Sequence, residues 1–232
     1  MQKDDLHTIR FAAIICLVCS MGLAGVQGSL RGIQQKNKTI DGQINVLKAL
    51  NPDFAPDGSP LSEDERLSYF LDGQVPKELI PDYFENYVVK EDVTLEDGKT
   101  DILYKLKKDD KVVAYAFPAQ GKGLWSTVHS YVGLQSDMAT IRGITFFDHG
   151  ETPGLGGECS KPWFQKNFRG KKLWDDGEPV KLMIAKGDAE PETPYNVDGM
   201  SGATITGNGI EKFVNNTFRE YNEAVFSEQR AM

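Results

Sequence analysis

Apolar residues fill one stretch of this chain so completely that no periodicity shows in it. From Phe11 to Leu30 no residue carries a formal charge, and Arg10 and Arg31 bracket the run. About twenty apolar residues is the length a helix needs to cross a bilayer core. The run therefore predicts one transmembrane helix over 11–30, preceded by a short tail at 1–10. A cleaved signal peptide is the rival, since AGVQG offers small residues for processing. Length and flanking arginines favour an uncleaved anchor. Lys3 and Arg10 precede the run beside Asp4 and Asp5, while Arg31, Lys36 and Lys38 follow it, so the positive-inside rule does not set its direction.

Beyond the anchor the pattern becomes helical. Ile33, Ile40, Ile44, Leu47 and Leu50 recur at near-helical spacing and predict an amphipathic helix that ends at Asn51-Pro52. After the turn-rich PDFAPDGSP, Ser62 and Glu65 have the spacing of a capping box, with Leu67, Phe70 and Leu71 on the inner face of a short helix. The acidic stretch 72–100 yields no assignment. From Ile102 the alternation becomes that of strands: ILYKLKKDDKVVAYAFPA predicts two strands around a charged turn at Lys107–Lys111. Further strands follow within Trp125–Asp137, over Ile141–Phe147, and within EPVKLMIAKGD, where Val180, Leu182 and Ile184 alternate. Ile210, Phe213, Val214, Thr217, Phe218 and Tyr221 then mark one face of a C-terminal helix, with Asn208 and Glu211 at capping spacing. The soluble part reads as α+β: a small, mostly antiparallel sheet with helices packed on it.

Composition changes this picture little. The 232 residues carry 34 acidic and 26 basic side chains, a net charge of -8 that argues against nucleic acid as a partner. Three cysteines encode no disulfide framework. Cys16 and Cys19 lie in the apolar run as small packing residues, and Cys159 reads as a surface thiol without an activating base. There is no internal repeat, no Walker loop and no Rossmann glycine pattern, which speaks against a nucleotide-triphosphate enzyme.

Three glycine-bearing segments carry what chemistry there is. Ser201-Gly202-Ala203-Thr204 precedes the C-terminal helix. Gly202 and Ala203 add almost no bulk, so a large group can approach Thr204 closely. Pre-helical N–H groups make a seat for an anion, and the two hydroxyls offer ligands or an attachment point. An ordinary polar turn capping a helix fits the same residues. HGETPGLGG, from His149 to Gly157, follows a predicted strand, and its glycines demand irregular backbone able to close over a flat ligand. Glu151 and Thr152 give it polar reach and Leu155 an apolar surface; a bare hairpin is the alternative. In GKGLWS, Trp125 either covers a ring or fills the core. His129 reads as structural, and His149 as a turn residue or a ligand contact.

In this order, GKGLWS (121–126), HGETPGLGGE (149–158) and DGMSGAT (198–204) resemble the C subunits of the sodium-translocating NADH:quinone oxidoreductases, within the wider FMN-binding domain family. That wider family also holds the G subunit of the Rnf electron-transport complexes, whose ferredoxin-linked system is one alternative. A membrane-anchored binding or assembly module without redox chemistry is the other. The resemblance covers roughly 89–221, and GKGLWS turns it toward the quinone reductase. It implies an FMN-binding domain over 89–232 joined to the anchor by a membrane-proximal region at 31–88. It further implies FMN esterified through its phosphate to Thr204, with Asp198 and Ser201 in the recognition pattern and Gly202 and Ala203 between them. Glu151, Thr152, Gly154, Leu155 and Gly156 would border the isoalloxazine, with Leu124, Trp125 and Ser126 in the same neighbourhood. A separate flavin transferase would install the group. The finished chain would be one subunit of a six-subunit translocase, not catalytic alone. It would relay electrons as NADH is oxidised, ubiquinone reduced and sodium exported. Its place would be the bacterial inner membrane, single-pass, with the flavin domain on the periplasmic side.

Overall fold

The computed structural model describes residues 3–72, 74–189 and 193–231. The chain divides into two compact units, 1–42 and 43–232. A single helix, α1 (Lys3–Leu50), runs through the apolar segment and on to Leu50. No break separates an anchor from an amphipathic helix, because Arg31–Thr39 contains neither proline nor a capping turn. Within the first unit its large apolar side chains are exposed, Phe11, Leu17, Leu23 and Val26 among them. The most apolar window of this helix has a mean hydropathy of 2.1 and none of it is buried. A helix apolar on every side and uncovered by protein is suited to anchoring in a membrane.

The second unit is α+β. Five strands, β1 (Val88–Thr94), β2 (Thr100–Lys108), β3 (Lys111–Lys122), β4 (Thr127–Gln135) and β5 (Ile141–Asp148), pair in chain order, each antiparallel to the next. The β2–β3 turn places Asp109 and Asp110 at φ 49° and 60°, the left-handed pair that a tight hairpin with right-handed strand twist requires. One face buries Leu103, Tyr115, Phe117, Val128, Val132 and Phe146. Against it lies α5 (Thr204–Tyr221) through Ile210, Phe213, Val214, Phe218 and Tyr221. Phe117 stacks on Tyr221 at 4.6 Å between ring centroids. Contact is intimate because a Cβ on Gly209 would stand 2.3 Å from the Lys122 carbonyl oxygen, and one on Gly121 2.5 Å from Phe213.

The end of α1 packs on the opposite face. Gly133 and Gly143 pair across β4 and β5, and Cβ atoms there would stand 2.0 Å and 2.7 Å from the Ala49 carbonyl oxygen. These two glycines form a slot in which Val46, Leu47, Ala49 and Leu50 are buried. The helix stops at Asn51, left-handed at φ 41°, whose N–H donates to the Leu47 carbonyl. The Ser62–Glu65 capping box forms as expected, each side chain bonded to the other residue's backbone N–H, ahead of α2 (Glu63–Arg66). Phe70 and Leu71 are buried after it, while the side chain of Leu67 lies outside the described set. The unassigned 72–100 region supplies α3 (Ile80–Tyr87) and β1.

Among the described residues between β5 and α5 lie α4 (Pro162–Lys166) and four two-residue strands. β6 (Trp174–Asp175) pairs with β7 (Glu178–Pro179), and β8 (Met183–Ile184) runs parallel to β9 (Asn196–Val197). The alternating segment Val180–Ile184 is thus not one long strand. The Asn215 side chain of α5 takes both the N–H and the carbonyl of Leu182, occupying the groups a ladder would use. A turn at Asn222–Phe226 and α6 (Ser227–Ala231) complete the described chain.

Substituting Gly133→Ala drives a methyl group into the Ala49 carbonyl and should cost about 1–3 kcal/mol. That is a fall of roughly 3–10 °C in Tm for a domain of this size. Gly42→Ala, which meets nothing within 4 Å, should show no loss. Thermal melts of the full chain in detergent, followed by circular dichroism, compare the two.

Candidate functional site

β5 ends at Asp148, and three residues later Glu151 turns inward, 5% exposed. Its Oε1 accepts the N–H groups of Trp125 at 2.9 Å and Ser126 at 3.1 Å. Oε2 accepts the Leu124 N–H at 3.2 Å and the Thr206 hydroxyl at 2.6 Å. Successive backbone N–H groups make a concave anion seat, and here the anion is the protein's own carboxylate. Burial by itself pushes the Glu151 carboxyl up, but the Thr206 hydroxyl and the three amides outweigh it and hold it below its ordinary value. Two glycines clear its path: Cβ atoms would stand 2.6 Å from Oε1 at Gly123 and 2.7 Å from Oε2 at Gly156. Ser126 Oγ ties the loops again by accepting the Gly150 N–H at 2.6 Å. GKGLWS, HGETPGLGG and the first turn of α5 are therefore one assembly.

Glu151 does not present its carboxylate to the surface. Its loop exposes Gly150 and the run from Thr152 to Leu155. Gly154 is left-handed at φ 78°, and the Thr152 carbonyl accepts the N–H groups of Leu155 and Gly157. Leu155 leans on Gly202, itself left-handed at φ 68°, where a Cβ would stand 2.8 Å from Leu155 Cδ2. The third loop is pinned from below. Met200 is buried, Asp198 Oδ1 accepts the Ala189 N–H at 2.8 Å, and Gly199 N–H donates to Gly187. Ser201 and Thr204 are left exposed.

α5 begins at Thr204, four residues ahead of the expected cap at Asn208. Its N-cap is Ala203, and no side chain caps the turn. The first N–H groups of a helix lack intrahelical partners and carry the positive end of its dipole. Thr204 stands at this end, and around it Leu124, Leu155, Ile205 and Trp125 are 41%, 44%, 59% and 71% exposed. The core-packing reading of Trp125 fails: its ring lies in solvent because the adjoining amides are tied down to Glu151. From Leu124 and Ile205 a cleft of ≈ 950 Å³ continues past Lys122, Asn208, Lys212 and Asn216.

Ile205 and Thr206 escaped the sequence reading. Starting the helical wheel at Thr204 would have found them, with Thr206 on the buried stripe and Ile205 left outside it. Cys159 is buried rather than superficial, and burial, followed by the Glu151 charge, pushes its thiol up to about 12. His149 Nδ1 accepts the Glu151 N–H at 3.3 Å, and His129 packs beside Phe147.

An exposed hydroxyl at an uncapped helix start, bordered by exposed apolar residues on glycine loops, is an arrangement able to receive an anionic group. Residues 123–219 match the family model of the FMN-binding domain. The C subunit of the Na(+)-translocating NADH-quinone reductase from Yersinia pestis is 32% identical, over 90% of this chain and 86% of that protein. Its counterpart from Vibrio anguillarum is 31% identical over 90% and 89%. The crystal structure of the same reductase's C subunit from Parabacteroides distasonis superposes with a TM-score of 0.60 at 27% identity, covering 83% of this chain and 94% of that one. Shewanella oneidensis NqrC has a TM-score of 0.66 at 23% identity over 86% and 100%, a likeness of fold. The chain belongs to the family of C subunits of the Na(+)-translocating NADH-quinone reductases.

Because its folded pKa is lowered, Glu151 stabilises the fold above its ordinary value of 4.5, and this contribution disappears as pH falls through the folded value. Glu151→Gln must turn an NH₂ toward two of the four donors, whichever oxygen it replaces, and should cost about 2–3 kcal/mol at neutral pH. Melts between about pH 3 and pH 7 should show a smaller acid-side loss of Tm in the variant than in the native chain.

Proposed function

We propose that this chain carries FMN joined through its phosphate to the Thr204 hydroxyl, and that it relays electrons within a sodium-translocating NADH:quinone reductase. The observation that carries this reading is the exposed Thr204 at the uncapped start of α5, set beside exposed Leu124, Trp125, Leu155 and Ile205. The match to the FMN-binding domain over the same residues supports the identity of the group. Relatives bearing the reductase's name support the complex.

Bound FMN supplies the redox chemistry, and the polypeptide positions and tunes it. Thr204 Oγ1 would supply the ester oxygen, and the first amides of α5 would stabilise the phosphate's remaining charge. Leu155, Gly154, Thr152, Leu124 and Trp125 would border the flat ring. Glu151 and Gly156 lie beneath them, so Glu151 acts by fixing the 124–126 backbone. Asp198 and Ser201 shape the loop that a flavin transferase reads, with Gly202 and Ala203 leaving Thr204 accessible. No general base is required of the finished chain, because the phosphoester only retains the carrier. The other members of a six-subunit translocase supply and accept the electrons. We place the chain in the bacterial inner membrane through 11–30, with 31–88 as the membrane-proximal region and the flavin domain at 89–232 on the periplasmic side.

Intact mass of the chain purified from its membrane, with mapping of the modified peptide, tests the attachment. The expected addition is one FMN less a water, about 438 Da, on Thr204. Thr204→Ala should abolish it with little change in fold, and Thr204→Ser should retain part of it. Covalent flavin surviving in the alanine variant contradicts the assignment.

A further inference from the structure

The β4–β5 hairpin has a second polar end. Its Thr127 and Asp148 ends hold the loops around Glu151. At Gln135 and Ile141, the opposite ends, a separate cavity of ≈ 350 Å³ opens, with Asn51, Glu63, Arg66, Arg142 and Arg169 also in its wall. The length of β4, nine residues at about 3.3 Å each, puts the two ends about 26 Å apart.

Three guanidinium groups share this small space. Arg142 is fixed by the framework: its Nε donates to the Asn51 carbonyl at 3.0 Å and its Nη1 to the Val113 carbonyl at 3.5 Å. Its Nη2 is buried with no hydrogen-bond partner, and so is the Nε of Arg66. Asp53 Oδ1, itself buried without a hydrogen-bond partner, lies 3.5 Å from Nη2 as an ion pair. Among the described residues Asp53 and Glu63 are the carboxylates at hand, so three positive charges meet two negative ones. Burial lowers the Arg142 pKa. Burial, then the neighbouring Arg66, pushes the Arg169 guanidinium down to about 10.

Buried charged donors without acceptors are costly and uncommon in native proteins. Here they gather in the wall of one open cavity, where an incoming anion would satisfy them. We propose that Arg66, Arg142 and Arg169 form a binding site for a phosphate group, distinct from the Thr204 site. Planar guanidinium forks match tetrahedral phosphate oxygens by paired hydrogen bonds. The surplus of one positive charge suits a single phosphate, either free or in the headgroup of an anionic phospholipid.

The test uses the full chain in non-ionic detergent, melted in chloride and then, at matched ionic strength, with inorganic phosphate. A parallel series adds phosphatidylglycerol to the micelles. One of the two should raise Tm saturably, by about 5–10 °C at a hundredfold excess over Kd, and which one does so identifies the source. The double variant Arg66→Gln/Arg169→Gln leaves Arg142 on its backbone carbonyls. It should melt no lower than the native chain in chloride, having lost two crowded charges, and should lose the ligand response. An equal rise in native and variant chains would mark a general salt or lipid effect and overturn the proposal. Broadening of the ³¹P resonance of whichever probe raises Tm, read on the native chain alone, gives a second reading; its absence for both probes overturns the proposal too.

Discussion

The hydrogen bonds converging on the Glu151 carboxylate hold the candidate site together. Three consecutive backbone N–H groups, from Leu124 to Ser126, and the Thr206 hydroxyl all point at one buried side chain. Without it, the 124–126 turn would have to find water or a ligand for its amides, and the first turn of α5 would lose its tie to the β5 loop. A charge-assisted bond to a carboxylate is roughly twice as strong as a neutral one, and four of them satisfy most of its acceptor capacity. The energetic benefit is local, but its structural effect reaches every loop of the site.

That arrangement explains why Glu151 is not free for catalysis. An acidic residue in a glycine-rich loop invites a catalytic reading, yet its oxygens are spent on the backbone. With its amides anchored below, the 124–126 loop presents Trp125 and Leu124 outward. Gly202 admits Leu155, and Thr204 stands exposed at the positive end of a helix. An apolar setting beside one hydroxyl is suited to holding a bound group in a fixed position. The glycines serve close approach: Gly123 and Gly156 against Glu151, and Gly209 against β3.

Much of this was legible in the sequence, and the remainder has identifiable causes. The strands from Ile102 to Phe147 declared themselves because each has one buried face and clear turns. β1 did not, because VVKEDVT buries little and carries three charges. Thr204 stood out by its small neighbours, but the helix start was misplaced because Asn208 and Glu211 mimic a capping pair while the true cap, Ala203, has no side-chain signal. Glu211 in fact accepts the Ile184 N–H and pairs with Lys181. The role of Glu151 was illegible in principle, since its partners lie 25–55 residues away in sequence. Cys159 was misjudged for a related reason: the glycines before it suggest a surface loop, whereas the loop folds back under itself.

The most direct test of the assembly is a crystal structure of the chain carrying its flavin. Phosphate on Thr204, the ring in van der Waals contact with Leu155 and Trp125, and the Glu151 carboxylate still on the amides of 124–126 are the predicted result. A ring seated elsewhere with Trp125 still in solvent, or Glu151 swung out to contact the flavin, would contradict it.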